Sequence, residues 1–445
     1  HYPRFWRCQE VDGLFTIYEW IGNIPRIWKI RKINSLFETI GSGTTPNSNI
    51  EEYYQGMINW LQSGDINGTI VKGTKKHISN EIVSNTSALT VYKAPFIAIA
   101  MYGASIGNIS IVDIDACTNQ ACCVLVKPTK DIYMQFAFWG LMAAKEELVL
   151  SSRGGGQPNI SQNIIKRLRI PVPNILEQEN IADYLDETCF KIDEIIAEAK
   201  VSIDEYKELK QSVIFEAVTK GLDKNIEMKN SGVDGMGFIP AKWSVVRYMK
   251  VNYVRARLGW KGLKAEEYVD VGYPFLAAYH IVNSHLCWEN LNCITKERYD
   301  ESPEIKLSIG DLVLVKDGAG IGKCARIDDM PLGEATVNSS LSVITPNELL
   351  DYRYEYYYFM SPLFQNIITR LKNGMGVPHL TQESMKDIYL PLPSKKEQQA
   401  IAEYLDNKVV ELDSLIAEKE SLINDLEAYK KSLIYEVVTG KRRVV

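Results

Sequence analysis

Residues 171–219 read PVPNILEQENIADYLDETCFKIDEIIAEAKVSIDEYKELKQSVIFEAVT, and residues 391–439 read PLPSKKEQQAIAEYLDNKVVELDSLIAEKESLINDLEAYKKSLIYEVVT. The two align without a gap at an offset of 220, with about 20 identities in roughly 49 positions. Chance does not produce such agreement, so the chain carries an internal duplication.

Each copy predicts one long helix. Ile192, Ile196, Ala199, Ile203, Tyr206, Val213 and Ala217 recur at helical spacing, and Leu412, Ile416, Ile423, Leu426, Leu433 and Val437 give the matching stripe. A stripe of threes and fours buries one helix face against another helix, as in a coiled coil. Pro173 and Pro393 precede the helices, and Gly221 and Gly440 punctuate their ends. About 42 residues rising 1.5 Å each make a rod of about 60 Å. That length suits a spacer better than a compact domain.

The segments between the helices repeat more weakly. IGNIPRIWKI (21–30) matches MGFIPAKWSV (236–245), preserving Ile24, Pro25 and Trp28 against Ile239, Pro240 and Trp243. GASIGN (103–108) matches GAGIGK (318–323), and RGGGQPNIS (153–161) matches NGMGVPHLT (373–381). Short β-branched runs such as APFIAIAMY, NISIVDI, CCVLVK, DLVLVK and LSVIT, bounded by Gly, Asn, Asp and Pro, are strand-and-turn patterns. The predicted fold class is α+β. Two globular domains, 18–173 and 230–390, alternate with two helical segments, 174–229 and 391–445, in a pseudo-two-fold repeat. Residues 1–17 stand outside this pattern and are unassigned.

The stretch KDGAGIGKC (316–324) raises the question of a phosphate-binding loop. Such a loop needs a first Gly where Asp317 stands and a Ser or Thr where Cys324 stands, and it opens a helix, whereas CARIDD predicts another strand. The first copy keeps Gly103 and Gly107 opposite Gly318 and Gly322 but has Asn108 in place of Lys323. The shared function is a tight turn that needs positive φ or close backbone approach.

The formal net charge of −6 is unevenly spread. Segment 18–173 carries about +4, 174–229 about −7, 230–390 about −2 and 391–445 about −1. That permits DNA binding without demanding it. No apolar run approaches the ~18–20 residues of a membrane span, and HYPRFWRCQEVDGLFTIYEW lacks the order of a secretory signal. Eight cysteines without a C-x-x-C pair favour buried thiols over a disulfide framework or a zinc site. The expected compartment is the cytoplasm.

No catalytic constellation emerges. The F-x-G-x-G loop and the Asn/Asp-Pro-Pro-aromatic motif of base methylation are absent, and the five His residues are scattered without ligand-spaced partners. The loops before the helices are binding candidates. Arg153, Gln157, Asn159 and Ser161 ride on glycines in the first copy, and Lys372, Asn373, His379 and Thr381 replace them in the second. Arg pairs with guanine and Asn or Gln with adenine, so one frame with exchanged polar groups suits two readers of different sequences. An ordinary polar loop is the competing reading. Lys72, Lys75 and Lys76 are candidates for phosphate contact, against a plain solvated turn. The repeated pairs Glu177–Gln178 and Glu397–Gln398 look exposed, and they are candidates for partner docking or for favouring the helix dipole.

Pro-x-Pro, Glu-Gln, I-A-[DE]-Y-L-D and a long helix ending E-x-V-T together resemble the specificity subunit of type I restriction–modification systems, across about residues 18–441. The resemblance implies two target recognition domains, each reading one half of a bipartite double-stranded DNA site, held apart by helices that pack antiparallel. It implies a subunit without catalysis or metal, which recruits two methyltransferase subunits and two restriction subunits. S-adenosylmethionine, ATP and Mg²⁺ then belong to the partners. A repeat-built protein–protein scaffold without DNA specificity is the alternative.

Overall fold

The structure is a computed structural model, and it describes residues 20–152, 159–257, 264–318, 320–372, 380 and 385–444. Two compact units partition the chain, residues 1–198 with 422–445 and residues 199–421. The division falls inside both long helices, Ile175–Lys220 and Lys395–Val438. Each unit therefore contains one globular domain, the start of one long helix and the end of the other.

Within each unit the helix segments pair antiparallel. In the first, Lys430 Nζ lies 2.6 Å from Asp193 Oδ1, and the ends carrying Glu177 and Gly440 both meet Trp28. In the second, Lys210 Nζ lies 2.7 Å from Asp413, and Gly221 faces Glu397. The stripe from the sequence is the buried seam: Ile192, Ile196, Ala199, Ile203, Ala217, Leu412, Ile423, Leu433 and Val437 are buried. Tyr206, Val213, Ile416 and Leu426 are half-buried.

Both helices end on glycines in the left-handed conformation, Gly221 at φ +75° and Gly440 at φ +73°, which release the chain from the helix without a Cβ clash. A Cβ on Gly440 would lie 2.5 Å from Pro25, and one on Gly221 would lie 3.1 Å from the Trp243 ring. The repeated Ile-Pro-x-x-Trp motif is thus the surface on which a helix end is seated.

The two domains are built alike. Each has, near its start, a strand that pairs antiparallel with its last strand, Lys29–Lys32 with Arg169–Val172 and Ser244–Arg247 with Tyr389–Leu392. The chain therefore enters and leaves each domain side by side, at the foot of its helix. The main sheet of the first domain runs Phe37–Gly41, Cys122–Pro128, Phe96–Ala100, Ile109–Val112, Ile70–Val71. That of the second runs Asn252–Arg255, Leu341–Pro346, Leu312–Val315, Cys324–Arg326. Central strands such as Phe96–Ala100 and Leu312–Val315 are buried at every position, the reason they read as unbroken apolar runs. Cys122 and Cys123 lie inside one of these strands, and burial pushes each thiol up to about 12.

The glycine turn is followed by the strand Cys324–Arg326, not by a helix. Gly103, Gly107, Gly318 and Gly322 all have positive φ. At two of them space is short as well: a Cβ on Gly107 would come within 2.6 Å of Val149, and one on Gly322 within 2.8 Å of Ile368. The duplicated glycines serve a turn that a helix packs against.

The core of the second domain encloses one carboxyl completely. Glu355, on the helix Tyr352–Met360, is wholly inaccessible to solvent. Burial pushes its carboxyl up to about 8, with Tyr248 and Asn252 pulling the other way. A carboxyl raised above its ordinary 4.5 in the folded state contributes stability that is fully present below 4.5 and is lost as pH rises towards 8. Denaturation of the protein at a series of pH values is expected to show this loss in the second unit, exceeding ~1 kcal/mol, and Glu355→Gln is expected to flatten it. An unchanged slope in the variant would mean that the carboxyl is ionised in the folded core.

Candidate nucleic-acid interface

Two of the candidate features come together in each domain. The Ile160 N–H donates to Met101 O at 2.7 Å, and Tyr102 and Asn159 form an isolated bridge, so the polar loop of the first domain returns beside its glycine turn. The Leu380 N–H donates to Lys316 O at 2.7 Å in the second domain. Turn and loop are neighbours twice over. Asn159 is exposed. Ser161 is exposed too, but its Oγ accepts the Ile164 N–H at 3.3 Å as the cap of the helix Gln162–Arg167, so its hydroxyl already has a structural task. Lys372 closes the helix Pro362–Lys372. Arg153, Gln157, Asn373, His379 and Thr381 lie outside the described residues.

The lysine turn is elsewhere. The strand Ile109–Val112 follows the glycine turn, and at its other end the Asp113 N–H donates to Val71 O, next to Lys72. Strand Ile70–Val71 runs parallel to it, so the lysines stand about 13 Å of strand away from the glycine turn. Lys72, Lys75 and Lys76 are exposed, and none forms an ion pair among the described residues. Lys76 Nζ sits 6.0 Å from the centre of the Tyr54 ring. Cations without counter-ions on an edge of the sheet have the chemistry of phosphate contact.

The helix-opening pairs require a correction. Gln178 and Gln398 are not exposed; both are completely buried. The Gln178 carboxamide accepts the Tyr133 N–H at 2.8 Å and donates to Asp131 O and Pro173 O at 3.0 and 2.8 Å. Gln398 repeats the set, accepting the Asp351 N–H at 2.7 Å and donating to Leu349 O and Pro393 O at 2.9 and 3.0 Å. A fully enclosed side chain has no surface left for a partner, so the docking expectation fails for both glutamines. Glu177 is half-buried and accepts the Trp28 indole N–H at 3.1 Å. Glu397 is half-buried beside Gly221.

A second duplicated anchor went unread in the sequence. Asp186 and Asp406, the last residues of I-A-[DE]-Y-L-D, each hold the first of the two helices that lead to the polar loop, Met134–Ala143 and Tyr352–Met360. Asp186 accepts from the Trp139 indole at 2.7 Å and from Gln135 at 2.8 Å. Asp406 accepts from the Tyr357 hydroxyl at 2.7 Å and pairs with Arg326 at 2.6 Å and Arg353 at 3.5 Å. The identity of the aspartates between the copies was the signal that pointed to them. Their partners changed from neutral to cationic and gave none.

His280 is buried, its Nδ1 accepting the Ala277 N–H at 2.9 Å, while His285 is exposed. Among the described residues no group of three or more His, Cys, Asp or Glu converges on a point, and no helix is long and apolar enough to cross a membrane.

Known proteins share this architecture. The family described as the type I restriction modification DNA specificity domain matches residues 25–204 and 258–427. The MjaVIII type I restriction enzyme specificity subunit of Methanocaldococcus jannaschii is 24% identical over 424 residues, covering 95% of this chain and 94% of its own. A chain solved in work on complex assembly and conformational transition of the type I R-M system has a TM-score of 0.72 at 16% identity, covering 94% of this chain and 100% of that one. The HsdS subunit of Thermoanaerobacter tengcongensis has a TM-score of 0.53 at 15% identity, covering 94% and 98%. At these identities the structural likeness is one of fold.

Gln178→Ala or Gln398→Ala removes the partner of one N–H and two carbonyls and leaves a cavity where a completely buried carboxamide stood. Each is expected to lower the stability of its own unit by more than ~2 kcal/mol in chemical denaturation, while Glu177→Ala stays within ~1 kcal/mol. Unchanged stability together with weakened partner association would restore the docking role.

Proposed function

The chain belongs to the type I restriction–modification DNA specificity family, and from that premise we propose that each globular domain reads one half of a bipartite double-stranded DNA site. The observation that carries the reading is the duplicated unit itself. Turn, polar loop, Gln anchor and Asp anchor recur at matched places in both domains, while the polar residues that ride on the frame are exchanged. A structural frame held twice with different polar residues in its loops is what two readers of different sequences require.

In this proposal the long helices set the spacing of the two readers and present docking surfaces to two methyltransferase subunits, with two restriction subunits completing the assembly. The chain itself is non-catalytic. S-adenosylmethionine, ATP and Mg²⁺ act on the partner subunits. The lysine turn of the first domain grips phosphate and fixes register, and the turn-and-loop surface faces the bases. A scaffold without DNA specificity is the weaker reading, because its two copies have no reason to exchange the polar residues of these loops while keeping the frame.

A methylation map of host DNA, made by long-read sequencing with the partner genes retained, tests this. A motif of two short halves around a fixed unspecified spacer is expected to vanish when this chain is deleted, and exchange of residues 18–173 is expected to alter one half alone. A methylome unchanged by deletion, with the methyltransferase subunits present and bound to the chain, overturns the reading in favour of the scaffold.

A further inference from the structure

The lysine turn of the first domain has a counterpart in the second that contains no lysine. Strand Ile58–Leu61 pairs antiparallel with His77–Ile78 and parallel with Ala116–Thr118. Strand Tyr273–Leu276 pairs in the same two senses with Cys293–Ile294 and Thr336–Val337. Each arrangement leads into a short helix capped by a hydroxyl, Ser79 before Asn80–Asn85 and Thr295 before Lys296–Asp300. One hydrogen bond fixes the register: the Trp60 N–H donates to Lys76 O at 3.0 Å, and the Phe275 N–H donates to Asn292 O at 3.1 Å. Lys76 and Asn292 therefore occupy one place in the fold, and Trp288–Asn292 stands where Lys72–Lys76 stands.

The chemistry at that place is different. Between Ile281 and Asn292 there is no Lys or Arg. Glu289 and Asn290 are exposed, and the Asn292 side-chain N–H lies 3.4 Å from the Tyr279 hydroxyl. Tyr279 is 65% exposed, although its ring is fixed 4.1 Å from that of the buried His280. The backbone is held away from its relaxed form here as well. Of the four non-glycine residues with positive φ among those described, Asn283, Ser284 and Asn290 lie in this one stretch, and the Tyr356 hydroxyl pins Ser284 O at 3.1 Å. Strained residues held in place by packing gather where side chains must be aimed.

We propose that Glu289, Asn290 and Asn292, with the Tyr279 ring beside them, form a base-reading surface of the second domain in addition to its turn and polar loop. The first domain uses the same position to grip phosphate. The inference rests on the reading of the chain as a DNA specificity subunit and names which residues perform it. A carboxamide offers an acceptor and a donor that match N7 and N6 of adenine, and a carboxylate accepts from N4 of cytosine. An acidic turn without cations repels phosphate, so its partners are base edges and its contribution is insensitive to salt. At this position of the fold the salt dependence of binding then falls on the first domain.

The test uses the full chain assembled with its methyltransferase subunits, and reads both the methylated motif and the salt dependence of binding to that motif. Asn290→Gly keeps the positive φ accessible and removes the carboxamide, so it separates reading from folding. It is expected to relax one adenine position in the half recognised by the second domain and to weaken binding to the matched site by roughly tenfold to a hundredfold. Its log–log salt slope is expected to match that of the parent. The Lys72→Ala/Lys75→Ala pair is expected to reduce that slope by about 2 and to relax no position. Full stringency in Asn290→Gly, with the bipartite motif intact, overturns the assignment of this turn and leaves the DNA reading standing. Absence of any bipartite motif in the parent complex overturns both.

Discussion

Each long helix is tied to its domain by one buried carboxamide. Gln178 and Gln398 sit one turn into their helices, where their own N–H groups donate to Asn174 O and Ser394 O and their side chains are left to face the domain. Each satisfies an N–H at the start of a domain helix and two carbonyls nearby. A buried amide that makes three hydrogen bonds is stable only in one orientation, since any other strands polar groups away from water. The direction in which each helix leaves its domain is thereby set. Asp186 and Asp406, further along, hold the domain helix from the other side. The polar loop, one further helix along the chain, is in turn held beside the glycine turn.

The same constraint explains why the duplication is uneven. Residues that meet at the junction of strand, helix start and helix end are repeated almost letter for letter: Pro-x-Pro, Glu-Gln, the aspartate, the terminal Val-Thr and Ile-Pro-x-x-Trp. Thr219 and Thr439 even donate to the carbonyls of Phe215 and Tyr435 in the same way, at 2.6 and 2.7 Å. Positions away from the junction are free to diverge, and the exposed turns have done so most. Lys76 and Asn292 share one backbone hydrogen bond and nothing chemical.

This also sets what the sequence could disclose. The helices were legible because a buried seam imposes its period on Ile192, Ile196, Leu412 and Leu433 regardless of context. Central strands were legible because burial on both faces excludes polar residues from Phe96–Ala100 and Leu312–Val315. The role of Gln178 and Gln398 was not, since a glutamine in a first helical turn is ordinarily solvated, and only the fold brings Asp131 and Leu349 to it. The equivalence of 72–76 with 288–292 was hidden for a related reason: the two share strand pairing, which is a property of the backbone, and no residue pattern. The paired glycines disclosed their turn but not Val149 and Ile368, the neighbours that forbid a Cβ at Gly107 and Gly322.

Hydroxyl-radical footprinting of the chain assembled with its methyltransferase subunits, on DNA carrying their methylated motif, tests the central claim most directly. Two readers built on one frame predict two protected patches, one on each half, flanking a spacer whose base sequence can be changed without altering either patch. A single continuous patch, or protection that follows the DNA regardless of the motif, would contradict the account.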